Sequence, residues 1–220
     1  MGFILAIETA TTNCSVSISD NGNLLGVKED NSATYSHAES LHVFIKELLM
    51  ETGVAMDRLD AIAVSKGPGS YTGLRIGVST AKGLCYALDK PLIAIPTLES
   101  LALQVKENQG IVVPMIDARR MEVYSTVISA ETKKQLRATQ AEIVTEQSFA
   151  TYLNESKVFF IGNGVDKFEE LCQHPNAVFI KNKLPSAKEM AILGFQSFQN
   201  KKFVDLSYFE PYYLKDFVSG

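Results

Sequence analysis

Two acidic residues end apolar runs in this chain. Glu8 closes Phe3–Ile7, and Asp117 closes Ile111–Ile116. A carboxylate at the end of a buried strand can hold water around a divalent cation. A glycine pair accompanies each. Gly67-Pro68-Gly69 follows Ala61–Val64, and Gly162-Asn163-Gly164 follows Val158–Ile161. Such a turn between strand and helix can cradle phosphate on free backbone N–H groups, or it can serve only as a sharp turn. Pro68 removes one donor and weakens the phosphate alternative. Four cations, Arg75, Lys82, Arg119 and Arg120, can meet phosphate, although solvated faces are the ordinary place for such charges. His37 and His42 are five residues apart, which on a helix points them away from each other, so no metal site is expected there. His37, His42 and His174 have no evident nucleophile partner, and no H-E-x-x-H motif occurs, which argues against a protease.

These residues need elements to position them. Strands are expected at 3–7, 15–19, 24–29, 61–64 and 91–95, with an Asn21-Gly22 hairpin. Helices are expected at 36–52, where Leu41, Phe44, Ile45, Leu48 and Leu49 recur at helical spacing, at about 71–88, and at 97–106. The polar stretch 31–35 reads as a loop. A similar order then repeats: strands at 111–116, 123–129, 135–139 with 142–144, 158–161 and 177–180, and helices at 145–153, 165–172 and 186–200. The aromatic tail Pro211–Lys215 is expected to pack back on the body. Two halves follow, 1–106 and 107–220.

The helix from Tyr71 has a wide arc of small and apolar residues, so it is expected to be covered on more than one side. Gly73, Gly77 and Ala81 fall in line at four-residue spacing. Glycine in a helix interior costs about 1 kcal/mol relative to alanine, which suggests a packing reason. Close packing within the chain and a helix from another chain both satisfy it.

Composition sets outer bounds. The 220 residues are 46% hydrophobic and 21% charged, with net charge −4. That is an ordinary globular balance. It argues against this chain alone gripping nucleic acid, but leaves room for an RNA held mainly by a partner. Cys14, Cys85 and Cys172 are scattered and odd in number, as expected of buried thiols in a reducing compartment. The N-terminal apolar run lacks a basic flank and a small-residue cleavage site, and so reads as a strand. No run approaches a membrane span.

Two halves, each with an acidic strand end and a glycine turn, resemble the actin/sugar-kinase/Hsp70 ATPase plan. The expected fold class is therefore an α/β, actin-like (ribonuclease H-like) fold of two similar βββαβαβ-type halves. The second is degraded: Ala118-Arg119-Arg120 has no glycine to admit phosphate, and a convincing second glycine pair for adenosine is lacking. ILAIETATTNCSVSI, KGPGSYTGLRIGVSTAKGL, PMIDARRMEVY and PYYL, in that order over nearly the whole chain, resemble the TsaB (YeaZ) family. One departure is Glu8, where the family usually has Asp. The extra methylene moves the carboxylate by on the order of one bond length, so a magnesium–water contact is not carried over unchanged.

The resemblance implies a cytoplasmic protein without transferase activity alone, with no catalytic residue and no metal site. It implies a partner for the catalytic subunit TsaD, joined by the ATPase TsaE and supplied by TsaC. The complex threonylcarbamoylates adenosine 37 of tRNAs reading ANN codons, and this chain meets tRNA only through it. A homodimer through the N-terminal helices is implied in isolation. With the small-residue stripe, this gives an expected partner surface of Leu41, Ile45, Leu48, Gly73, Ile76, Gly77, Thr80, Ala81 and Leu84. The alternative is an autonomous ATP-dependent phosphotransferase or carbamoyltransferase, with Glu8, Gly67, Gly69 and Asp117 around Mg-ATP. No cofactor is expected on this chain alone, and ATP or ADP with Mg²⁺ is placed at the complex interface.

Overall fold

The computed structural model describes residues 2–31 and 37–215. The loop expected at 31–35 lies outside the described residues from position 32 onward. The chain divides into two compact units. The first is Met1–Ser100 with Pro185–Tyr213, and the second is Leu101–Leu184 with the chain end from Leu214.

The first unit is built on β1 (Phe3–Glu8), β2 (Cys14–Asp20), β3 (Asn23–Asp30), β4 (Ala61–Gly67) and β5 (Leu92–Pro96), in sheet order β3-β2-β1-β4-β5. β1 runs antiparallel to β2 and parallel to β4. Its unbroken apolar run suits this central place, because both faces are covered. Leu5 and Ile7 join the core beneath α1 (His37–Thr52) and α2 (Tyr71–Leu88). Ile4 and Ala6 face the other way, onto a cluster containing Ala187 and Met190. The β2–β3 hairpin turns at Asn21 and Gly22, both at positive φ (50° and 80°), as an Asn-Gly turn does. α3 (Thr97–Ala102) is shorter than the helix expected at 97–106.

The second unit repeats the sheet. β6 (Ile111–Asp117), β7 (Glu122–Ser129), β8 (Gln135–Ile143), β9 (Val158–Ile161) and β10 (Ala177–Ile180) lie in the order β8-β7-β6-β9-β10. The same topology twice over is the actin-like α/β class. Its core holds Phe149, Phe160 and Phe168 edge to face, with ring centroids 4.9–5.5 Å apart. The segments expected at 135–139 and 142–144 are one continuous strand. The helix expected from 145 begins only as α4 (Ala150–Glu155). Thr145–Ser148 forms a turn instead, with Thr145 N donating to Ser148 Oγ at 3.0 Å. Phe149 takes φ 61° with its side chain buried. α5 (Val165–Glu169) ends early.

The division at 106/107 needs correction. α6 (Ala187–Gln199) belongs to the first unit, where it covers the Ile4/Ala6/Ala61/Ala63 face of the sheet. Without it that face would be bare to water. Ser186 caps the helix, accepting from Lys188 N at 3.1 Å. Among the described residues no helix is long and apolar enough to cross a membrane.

Candidate functional site

The first acidic strand end is sealed. Glu8 is fully buried, and its Oε1 accepts from Ala10 N at 2.7 Å and from Ser65 Oγ at 2.8 Å. Its Oε2 has no hydrogen-bond partner among the described residues. Burial pushes its pKa from 4.5 up to about 7, and the donors Ala10 N, Ser65 Oγ and Thr9 N pull only partly against that.

The loop after Glu8 lies directly under α2. Ala10 O accepts from Ser70 N at 2.7 Å, and a Cβ on Gly69 would strike that same carbonyl. Thr9 Oγ1 donates to Gly73 O at 2.7 Å. A Cβ at Gly73 would strike Thr9 O, and one at Gly77 would strike Thr9 Oγ1. His37 Nε2, at the start of α1, is 2.7 Å from Thr11 O. Ser70 caps α2 through Gly73 N, and Gly67 N donates to Thr97 Oγ1 at 3.1 Å. The tail lies against the same turn: Tyr212 N donates to Lys66 O at 2.7 Å, and the Tyr213 ring lies 4.7 Å from that of Tyr71, tilted by 34°. The glycines of this segment thus admit the chain's own loop, and donors at Gly67, Ser70 and Gly73 are already engaged.

The second acidic strand end is engaged in another way. Asp117 Oδ1 accepts from Lys167 Nζ and from Arg119 N, both at 2.6 Å. A cation of the chain itself therefore stands against this carboxylate. Ala118 N donates to Glu122 O and Glu122 N to Arg119 O, each at 3.1 Å. Gly162, at φ 124°, leaves no room for a Cβ against Met115 O, and Gly164 packs against Ile116 and Val123. In each unit the strand-end carboxyl and the glycine turn are engaged by that unit's own groups. One carboxyl is buried with its ionisation disfavoured, the other has its Oδ1 paired with a lysine, and the glycines lie against the chain's own backbone. Among the described residues no group of three His, Cys, Asp or Glu is placed to hold a metal.

The expected partner surface also needs correction. Leu41, Ile45 and Leu48 lie in the core between α1 and the first sheet. Gly73, Gly77 and Ala81 are buried on the inward side of α2. Six of the nine residues therefore face their own chain. Ile76, Thr80 and Leu84 are half-buried and remain on the rim. The outward faces carry residues that the sequence pattern passed over: Val43 and Met50 on α1, and Gly83 and Ala87 on α2. Their signal was present as apolar or small positions off the main stripe, with Val43 and Met50 seven residues apart. Arg75 and Lys82 lie on a third side of α2. Arg75 is over the Tyr71 ring at 4.2 Å, and Lys82 Nζ donates to Phe209 O at 3.1 Å. Cys14, Cys85 and Cys172 are buried free thiols.

Comparison with known proteins gives consistent matches. The family model for TsaD, tRNA N6-adenosine threonylcarbamoyltransferase, matches residues 30–218. The tRNA threonylcarbamoyladenosine biosynthesis protein TsaB of Haemophilus influenzae is 30% identical over 98% of this chain and 94% of its own length. The protein of the same name from Escherichia coli is 28% identical over 98% of this chain and 96% of its own. The solved structure of YeaZ from Pseudomonas aeruginosa superposes with a TM-score of 0.82 at 29% identity, covering 97% of this chain and all of that one.

Proposed function

The chain belongs to the TsaD family of tRNA N6-adenosine threonylcarbamoyltransferase proteins and, within it, to the TsaB proteins, and we propose that it acts in tRNA threonylcarbamoyladenosine synthesis as the non-catalytic partner of a TsaD transferase. TsaE joins that pair and TsaC supplies the activated threonylcarbamoyl group. The product is N6-threonylcarbamoyladenosine at position 37 of tRNAs reading ANN codons, made in the cytoplasm. ATP or ADP with Mg²⁺ at the interface of the complex is held by partner groups rather than by this chain.

One observation carries the partner role. Both acidic strand ends are already committed within the chain, Glu8 by burial against Ala10 N and Ser65 Oγ, and Asp117 by Lys167. A carboxyl whose ionisation is disfavoured by burial, or a carboxylate already ion-paired, is a weaker ligand for a hydrated magnesium ion. What the chain offers outward is the α1/α2 face. On α1, Val43 and Met50 are 49% and 65% exposed, and on α2, Ile76, Thr80 and Leu84 are half-buried. TsaD and a second copy of the chain compete for it.

The test is reconstitution. Threonylcarbamoyl transfer to tRNA is measured with this chain alone, then with TsaD, TsaC and TsaE and ATP, then with this chain omitted. The expected outcome is activity only in the full mixture. Transfer or steady ATP turnover by this chain alone would replace the partner role with the autonomous ATP-dependent transferase.

A further inference from the structure

We propose that Arg119 and Arg120, at the tip of the β6–β7 hairpin, contact the phosphate backbone of RNA. The proposal rests on the reading of this protein as a tRNA-modification partner and adds a direct contact to it. Both residues are exposed and both sit at positive φ, 69° and 50°. Left-handed backbone suits glycine or asparagine and is costly for a long side chain. Two successive arginines there hold two guanidinium groups on a tight loop projecting into solvent.

Charge at the hairpin is unbalanced toward the cation. Its carboxylates are already paired, Asp117 with Lys167 and Glu122 with Lys215. Neither arginine side chain has a hydrogen bond or ion pair among the described residues. Much of the backbone that a phosphate cradle would use is already engaged. Ala118 N, Arg119 N and Glu122 N are spent on Glu122 O, Asp117 Oδ1 and Arg119 O. A phosphate at this tip is met mainly by the two guanidinium side chains. Such a contact suits a polyanion lying on the surface, where arginine pairs bidentately with phosphate oxygens and carries no sequence information. In a chain of net charge −4 the grip is local and shared with the partner.

The test uses the double variant Arg119→Asn, Arg120→Gly. It removes both charges while supplying residues that accept the left-handed backbone, so its melting temperature is expected at or above wild type. Affinity for a tRNA transcript is measured by anisotropy across a salt series, for the chain with TsaD and for the chain alone. With TsaD, pairing should be unchanged. RNA affinity should fall on the order of tenfold at about 0.1 M salt, and the slope of log K against log salt should shrink by about two. A pair that forms normally and binds RNA with unaltered affinity and slope overturns the contact and leaves the partner role standing. If neither protein pairs with TsaD, the partner role fails instead. The contact is then judged on the chain alone at about 50 mM salt, where no binding, or an unchanged slope, overturns it. Millimolar ATP that displaces RNA from wild type, but not from the variant, marks a nucleotide site and overturns it as well.

Discussion

Glu8 is an acid placed where ionisation is expensive. In the unfolded chain its carboxyl titrates near 4.5, and in the folded chain burial moves it to about 7. Below about pH 4.5 both states are protonated and the shift has no effect on stability. Between 4.5 and 7 the folded state keeps a proton that the unfolded state has released, so stability falls as pH rises. Above 7 the loss is complete, at about 3 kcal/mol for a shift of this size. Glu8→Gln keeps an acceptor for Ala10 N and Ser65 Oγ without the ionisation. Urea unfolding at pH 5 and pH 8 should therefore show the wild type losing about 2–3 kcal/mol more than the variant between the two. Parallel losses would mean that Glu8 is charged or solvated in the folded protein. The sequence showed an acid at a strand end, and that much was legible. Its isolation was not, because that depends on Ser65 on a neighbouring strand and on the loop turning back to present Ala10 N.

The helix α2 has three working sides, and only their existence was legible. Periodicity showed small and apolar residues around a wide arc. It could not say which side met the chain's own fold, since four-residue spacing serves an internal neighbour and a foreign helix equally well. Thr9, 64 residues from Gly73, decides it by bonding to Gly73 O. Two glycine substitutions separate the sides. Gly77→Ala puts a methyl group against Thr9 Oγ1 and should lower stability by about 1 kcal/mol or more, overpacking outweighing the gain in helix propensity. Gly83 is exposed, and an added Cβ there meets nothing within 4 Å. Gly83→Ala should raise the stability of the monomer by up to about 1 kcal/mol. If the outer face of α2 packs closely on a partner, the same methyl should weaken pairing about tenfold in Kd, measured by sedimentation with TsaD and with itself. Unchanged pairing would place the contact on α1, around Val43 and Met50.

Over the whole molecule, the duplicated order of strands was legible because each half repeats the same succession of apolar runs, turns and glycine pairs. The allegiance of α6 was not. An amphipathic helix announces that it has a face to bury, with Met190, Ala191 and Gly194 inward, but not which sheet it will bury it on. Sequence neighbourhood pointed to the second half. The structure returns it to the first, where Ser17 Oγ donates to Ala187 O at 2.7 Å and Asn13 Nδ2 to Pro185 O at 3.0 Å. The first sheet thus depends on residues more than 80 positions beyond its last strand. A fragment of residues 1–106 should accordingly fail as a folding unit. Ile4, Ala6, Ala61, Ala63, Ile93 and Ile95 would lie exposed on a continuous face, and an isoleucine left in water forgoes about 1.5–3 kcal/mol. Such a fragment should aggregate or bind ANS strongly. Residues 1–100 joined through a flexible linker to 185–213 should instead melt cooperatively without ANS binding. Cooperative melting of 1–106 alone would mean that α6 shields a sheet already stable by itself, and that the helix serves something other than the core.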